Sequence, residues 1–191
     1  MLLKKYSNYN LECGVDEAGR GCLAGPVTAA AVILKADFYH ELINDSKKLN
    51  ASLREKLVPI IIENCICFAV KNVSPKKIDE INILNASILA MHKCIKALNP
   101  KPDFILVDGN KFKTFKNILH KTIIKGDTKY LNIAAASILA KYYRDNYMKN
   151  IHRKFEKYGW LKNKGYPTKQ HKINILKYGL TKYHRKSFKT N

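Results

Sequence analysis

The stretch Gly14-Val15-Asp16-Glu17-Ala18-Gly19-Arg20-Gly21 organises the reading of this chain. It closes an apolar run that starts at Leu11 and puts two adjacent acids, Asp16 and Glu17, at the run's end. Successive side chains of a strand face opposite ways, so both acids reach one site only where the backbone turns. Gly19 and Gly21 permit that turn and let backbone N–H groups approach a ligand closely. Arg20 adds a planar cation suited to phosphate. Carboxylates for a hard metal, beside a glycine-rich loop, point to chemistry on a phosphate ester. Taken alone, the same residues also suit a surface turn with solvated charges.

Outward from this stretch, Leu11 to Asp16 reads as a short buried strand and Val27 to Leu34 (VTAAAVIL) as a second. Gly25-Pro26 is a turn signal between them, so a hairpin is predicted. Asn44 to Leu49 is polar and loop-like. A helix is expected from Asn50 or Ser52, bent or restarted at Pro59, and a third strand over Ile66 to Val73. Ser74-Pro75 opens a helix that carries Leu84, Ile88, Met91, Ile95 and Leu98 at steps of four and three, and Asn99-Pro100 stops it. Phe104 to Val107 is a buried strand that delivers Asp108. Lys121 to Lys125 is a further strand, ending in Gly126-Asp127. A long helix follows, from Asn132 to Phe155, with an alanine-rich start that allows close packing. From Tyr158 the chain is basic, aromatic and turn-rich, with a short helix near Lys169 to Lys177. The order predicts an α/β fold, a mixed sheet with helices on both faces and a helical C-terminal appendage. Residues 1–156 are read as the core and 157–191 as a basic segment packed on it, the two forming either separate units or one domain.

Charge narrows the partners. The chain has 191 residues and a net charge of +20. Its Lys and Arg side chains are spread along its length, which favours nucleic acid over an anionic membrane surface. No long uncharged apolar segment is present, and the apolar part of Met1-Leu2-Leu3 is too short for a signal peptide. Five cysteines without a C-x-x-C pair suggest reduced thiols in a cytoplasmic protein and no structural zinc.

Asp16 and Asp108 each end a predicted strand, and Asp127 follows a third apolar run. Ligands gather at the carboxyl ends of strands in α/β sheets, so these acids and Glu17 can converge. Acids held close repel one another unless a cation neutralises them, which is the logic of a two-metal site acting on a phosphodiester. Asp108 before Gly109, and Asp127 after Gly126, equally suit turns.

At this point the residues resemble a family. The stretch from Gly14 to Gly21 with Ala24-Gly25-Pro26-Val27 resembles the opening signature of ribonuclease HII, the type 2 ribonucleases H. Asn44 to Leu49, Leu106 to Gly109, Lys125 to Asp127, Ala135 to Lys141, Arg144-Asp145, Lys164 to Thr168 and His184 to Phe188 resemble further family blocks, in the family's order. The resemblance implies a ribonuclease H-like core with a helical C-terminal part. It places the metal-binding carboxylates on Asp16, Glu17, Asp108 and Asp127, with Mg²⁺ or Mn²⁺ as cofactor. It implies endonucleolytic cleavage of RNA in RNA·DNA hybrids, and on the 5′ side of single ribonucleotides in duplex DNA, leaving 3′-hydroxyl and 5′-phosphate ends. The family's ribonucleotide-gripping loop falls on Gly19, Arg20 and Gly21, and its sugar-packing tyrosine on Tyr166. Lys47 and Ser137 are added as substrate contacts, and Lys48, Arg144, Lys164, Arg185 and Lys186 are candidate phosphate contacts. His171 and His184 are read as tail residues touching backbone or protein. No sliding-clamp motif is evident, and a monomer acting on duplexes without an obligate protein partner is expected. A non-catalytic hybrid-binding protein and a related DNA nuclease with the same core remain as alternatives at this point.

Overall fold

The computed structural model describes residues 1–43 and 49–189. The described residues form a five-stranded mixed sheet in the order β3-β2-β1-β4-β5. The strands are β1 (Glu12–Ala18), β2 (Val27–Leu34), β3 (Cys65–Val73), β4 (Phe104–Asp108) and β5 (Leu119–Ile123). β1 pairs antiparallel with β2, and β2 with β3, as a hairpin and meander. On its other side β1 pairs parallel with β4, and β4 pairs parallel with β5. The helices are α1 (Ala51–Glu63), α2 (Pro75–Ala97), α3 (Leu131–His152), the single turn α4 (Trp160–Asn163) and α5 (Lys169–Tyr178).

Every residue of β2 is buried, because helices cover both faces of the sheet. Ala29, Ala31 and Ile33 join Cys13 and Val15 of β1 against α2. Ala30, Val32 and Leu34 face α1 and α3. Burying each Val or Ile here contributes roughly 2 kcal/mol. Gly14 lets α3 start directly on β1, since a Cβ there would stand 2.1 Å from the Asn132 carbonyl carbon. Ala134, Ala135 and Ala136 continue the close approach with no exposed surface.

Several boundaries differ from the sequence reading. β1 runs on through Ala18, so the turn comes after the two acids and not between them. β5 lies two residues earlier than expected, and α3 ends at His152 before Phe155. Pro59 neither starts nor restarts α1; it sits inside the helix on the exposed side, where water can satisfy the carbonyl it leaves unpaired. α2 is broken at Asn82 (φ 63°), whose Oδ1 accepts the Asn85 N–H at 3.1 Å and caps the second part. Lys47 and Lys48, with Asn44 to Ser46, lie outside the described residues. Among the described residues, no helix is long and apolar enough to cross a membrane.

Candidate active site

Asp16 lies near the carboxyl end of β1, and β4 runs beside it with Val15 opposite Val107. One step further along these parallel strands, Asp16 and Asp108 become neighbours. A cleft of about 270 Å³ opens over these strand ends. Asp16, Glu17, Asp108, Ser137, Lys141, Tyr166 and the loop Gly19-Arg20-Gly21 line it. Asp16 and Glu17 alternate along β1, and the cleft wraps the strand's end so that both reach it.

Second contacts fix each acid. The Glu17 N–H donates to Asp16 Oδ1 at 2.6 Å, and the Ser137 hydroxyl bonds the same carboxylate. Arg20 Nη1 pairs with Glu17 Oε1 at 3.2 Å, from a side chain 52% exposed at the mouth. The Gly126 N–H donates to Asp108 Oδ1 at 2.7 Å. Asp127 follows in a buried 3-10 turn (Gly126–Thr128), beside the cleft and not in its lining.

Burial, then the charges of Glu17 and Asp108, push the Asp16 carboxyl well above the usual carboxylate range; the bonds from Ser137 and the Glu17 N–H oppose this. Glu17 is also pushed up, by burial first, with Arg20 opposing. Such a set is short of positive charge. Among the described residues, no group of three or more acids, histidines or cysteines is arranged to hold an ion by itself. Mg²⁺ needs no such cage: it takes one or two carboxylates and completes its shell with water and phosphate oxygens. The donor set therefore fits a hard divalent cation shared with substrate.

The loop after β1 has a distinct support. Gly19 has φ +92°, and a Cβ there would meet Arg144 Nε at 1.9 Å. Gly21 has no positive φ; its surroundings are open. Arg144 and Arg185 are not phosphate contacts, which corrects the sequence reading: they are 0% and 1% exposed. Arg144 donates to the carbonyls of Pro26 (3.1 Å), Ala24 (3.1 Å) and Lys164 (2.9 Å). Arg185 donates to the carbonyls of Gly25 (3.1 Å), Arg20 (2.7 Å) and Gly19 (2.7 Å). Lys164 donates to the Leu161 carbonyl, and Lys186 is exposed.

Tyr166 shares a hydrogen bond with the Cys22 thiol, a partner the sequence reading missed. Lys141 Nζ and Arg144 Cζ each lie 5.8 Å from its ring centroid. Its backbone is held from behind by two buried histidines. Trp160 Nε1 donates to His171 Nε2 at 3.0 Å, so His171 carries its proton on Nδ1 and donates it to the Tyr166 carbonyl at 2.9 Å. The Thr181 N–H donates to His184 Nδ1 at 2.9 Å, leaving the His184 proton on Nε2, 3.3 Å from His171 Nε2. Both rings are neutral. Burial, then His171, pulls His184 down from 6.5 to about 4, and burial lowers His171. The unfolded chain protonates His184 near its ordinary value, so stability is lost as pH falls from 6.5 toward about 4. Thermal unfolding across that window should show a smaller acid slope in His184→Gln than in the native chain; equal slopes would refute it.

This sheet order, with acids at the ends of the two adjacent parallel strands, places the protein in the ribonuclease H-like fold class. The ribonuclease H2 of Pyrococcus horikoshii OT3 superposes with a TM-score of 0.80 at 27% identity over 94% of each chain. The Archaeoglobus fulgidus ribonuclease HII, solved as a complex with PCNA, superposes at 0.78 with 28% identity, covering 94% of this chain and 95% of that one. The ribonuclease HII of Christiangramia forsetii is 58% identical over 188 residues, spanning 98% of this chain and 95% of the relative. The Ribonuclease HII family model matches residues 13–191. The chain belongs to the ribonuclease HII family and is a nuclease with ribonuclease H activity.

Proposed function

We propose that the chain cuts RNA in RNA·DNA hybrids, and duplex DNA on the 5′ side of a single embedded ribonucleotide, leaving 3′-hydroxyl and 5′-phosphate ends. The observation that carries this reading is the sharing of one cleft by Asp16, Glu17 and Asp108 with the bare backbone of Gly19 to Gly21. Only the 2′-hydroxyl distinguishes RNA from DNA at a given position, and it is both donor and acceptor. Backbone groups of the loop suit it, and the Tyr166 ring stacks beside the sugar it marks.

Asp16, Glu17 and Asp108, with Asp127 beside them, hold Mg²⁺ or Mn²⁺ in this reading. When bound, such ions supply a polarised water and neutralise charge on the scissile phosphate and its leaving oxygen. Ser137 keeps the Asp16 carboxylate aimed at the cleft. Arg20, at the mouth, engages a backbone phosphate once its weak surface pair with Glu17 gives way. Lys47 remains a proposed substrate contact on sequence grounds alone. We place the enzyme in the cytoplasm, acting as a monomer on duplexes.

The test is one end-labelled duplex with a single ribonucleotide, its all-DNA counterpart, and a long hybrid. With Mg²⁺ or Mn²⁺, cleavage is expected on the 5′ side of the ribonucleotide and within the hybrid, with the all-DNA strand intact. EDTA should stop it. Cleavage of the all-DNA duplex at a similar rate, or cleavage that survives EDTA, would overturn the reading.

A further inference from the structure

Arg185 comes from the far end of the chain, yet its side chain ends under the loop that follows β1. Backbone bonds deliver it there. The Arg185 N–H donates to the Leu23 carbonyl at 2.8 Å, and the Gly25 N–H donates to the Tyr183 carbonyl at 2.8 Å. Asp79 of α2 anchors the next residues by accepting the N–H groups of Lys186 and Ser187, each at 3.0 Å. Phe188 lies under the guanidinium, its ring centroid 5.0 Å from Cζ.

The guanidinium then bonds two consecutive carbonyls, those of Gly19 and Arg20, both at 2.7 Å. In a trans peptide the C=O and the following N–H point in opposite directions. With both carbonyls drawn inward to Arg185, the N–H groups of Arg20 and Gly21 must point outward. Among the described residues, neither N–H donates to a protein acceptor. The guanidinium reaches the two carbonyls through two separate nitrogens fixed in one plane, whereas an ammonium would have to meet both from a single atom. No carboxylate pairs directly with this buried cation among the described residues, and burying one is costly. Its three bonded nitrogens all end on loop carbonyls, those of Gly19, Arg20 and Gly25, while the Asp79 charge acts on it from α2.

We propose that Arg185 is the positioning residue of the ribose-reading loop. By holding the Gly19 and Arg20 carbonyls it presents the Arg20 and Gly21 N–H groups to the cleft. The inference rests on the reading of that loop given under Proposed function.

The test is Arg185→Lys, with duplex affinity measured in an Asp16→Asn background so that nothing is cut. The readout is the affinity ratio between a duplex with one ribonucleotide and the same all-DNA duplex. The ratio should fall about tenfold in Arg185→Lys, the size of one or two hydrogen bonds. All-DNA affinity should change less than about twofold, since phosphate contacts set it. A merely structural role would move both affinities together, or lower the unfolding temperature and leave the ratio alone; either result overturns the proposal. If the background chain with Arg185 shows no ribonucleotide preference, the functional reading itself fails. If it shows one and Arg185→Lys keeps it, only this inference fails. Should Arg185→Lys not fold, the Arg185 Nε–H resonance of the ¹⁵N-arginine-labelled background chain decides. It should shift with the ribonucleotide duplex and not with all-DNA, and equal responses would overturn the proposal.

Discussion

Asp16→Asn should lower cleavage of a ribonucleotide-containing duplex by about a thousandfold or more, because it removes the carboxylate that Asp108 and Glu17 surround. The same change should raise the unfolding temperature in EDTA at neutral pH. The sign follows from the direction of the shift. A carboxyl held above its unfolded value contributes stability below that value and loses it as pH rises through the folded one. At pH 7 the unfolded chain ionises this carboxyl more readily than the metal-free fold does, which disfavours that fold, and asparagine keeps the shape without the titration. Adding Mg²⁺ or Mn²⁺ should then stabilise the native chain more than the variant, by mass action. Thermal unfolding with and without metal, beside a gel assay, checks both halves. A variant that cuts at the native rate would refute the site assignment, and one that melts lower in EDTA would refute the electrostatic account.

Arg144→Met should be the most destabilising of the single changes considered. It leaves the carbonyls of Ala24, Pro26 and Lys164 without their donor inside the protein. Each orphaned carbonyl costs on the order of 1 kcal/mol or more, and methionine recovers part by removing a buried charge, for a net loss of about 3 kcal/mol. In a chain of this size that lowers the unfolding temperature by roughly 6–12 °C. Activity of the folded fraction should fall as well, because the loop from Gly19 to Pro26 loses one of its two clamps. Calorimetry and cleavage at a temperature well below the transition check it; an unchanged melting temperature would sink it.

Much of this architecture is legible in the residues. VTAAAVIL reads as a buried strand, and Gly25-Pro26 as a turn before it. Phe104 to Val107 announces a buried strand with an acid at its end. What the residues do not carry is the neighbour relation: β4 lies beside β1 because of a parallel pairing some ninety residues apart in sequence, and no local pattern records register across that distance. β5 was shifted because it is an edge strand whose Leu119 is 58% exposed, so its alternation is weak. Nothing in Arg153-Lys154 marks the end of α3, since neither residue breaks a helix. Arg144 shows a different gap. Charge suggested a solvated or phosphate-facing role, while periodicity held the better clue. Ser137, Ala140, Arg144, Met148 and Ile151 recur at steps of three and four, and all are buried on one side of α3. Asp127 was placed by its spacing after an apolar run, and that spacing cannot say whether a side chain lines a cleft or sits next to it.

The clasp between Arg185 and the loop after β1 has a consequence for timing. The acids and the glycine loop leave a ribosome well before Arg185, which lies 165 positions after Arg20. Until then the Gly19 and Arg20 carbonyls lack their partner, and the growing chain carries the proposed metal ligands without the backbone arrangement proposed to select a sugar. In the proposed reading competence arrives with Arg185, so a nascent molecule gains its discrimination only after that residue has left the ribosome.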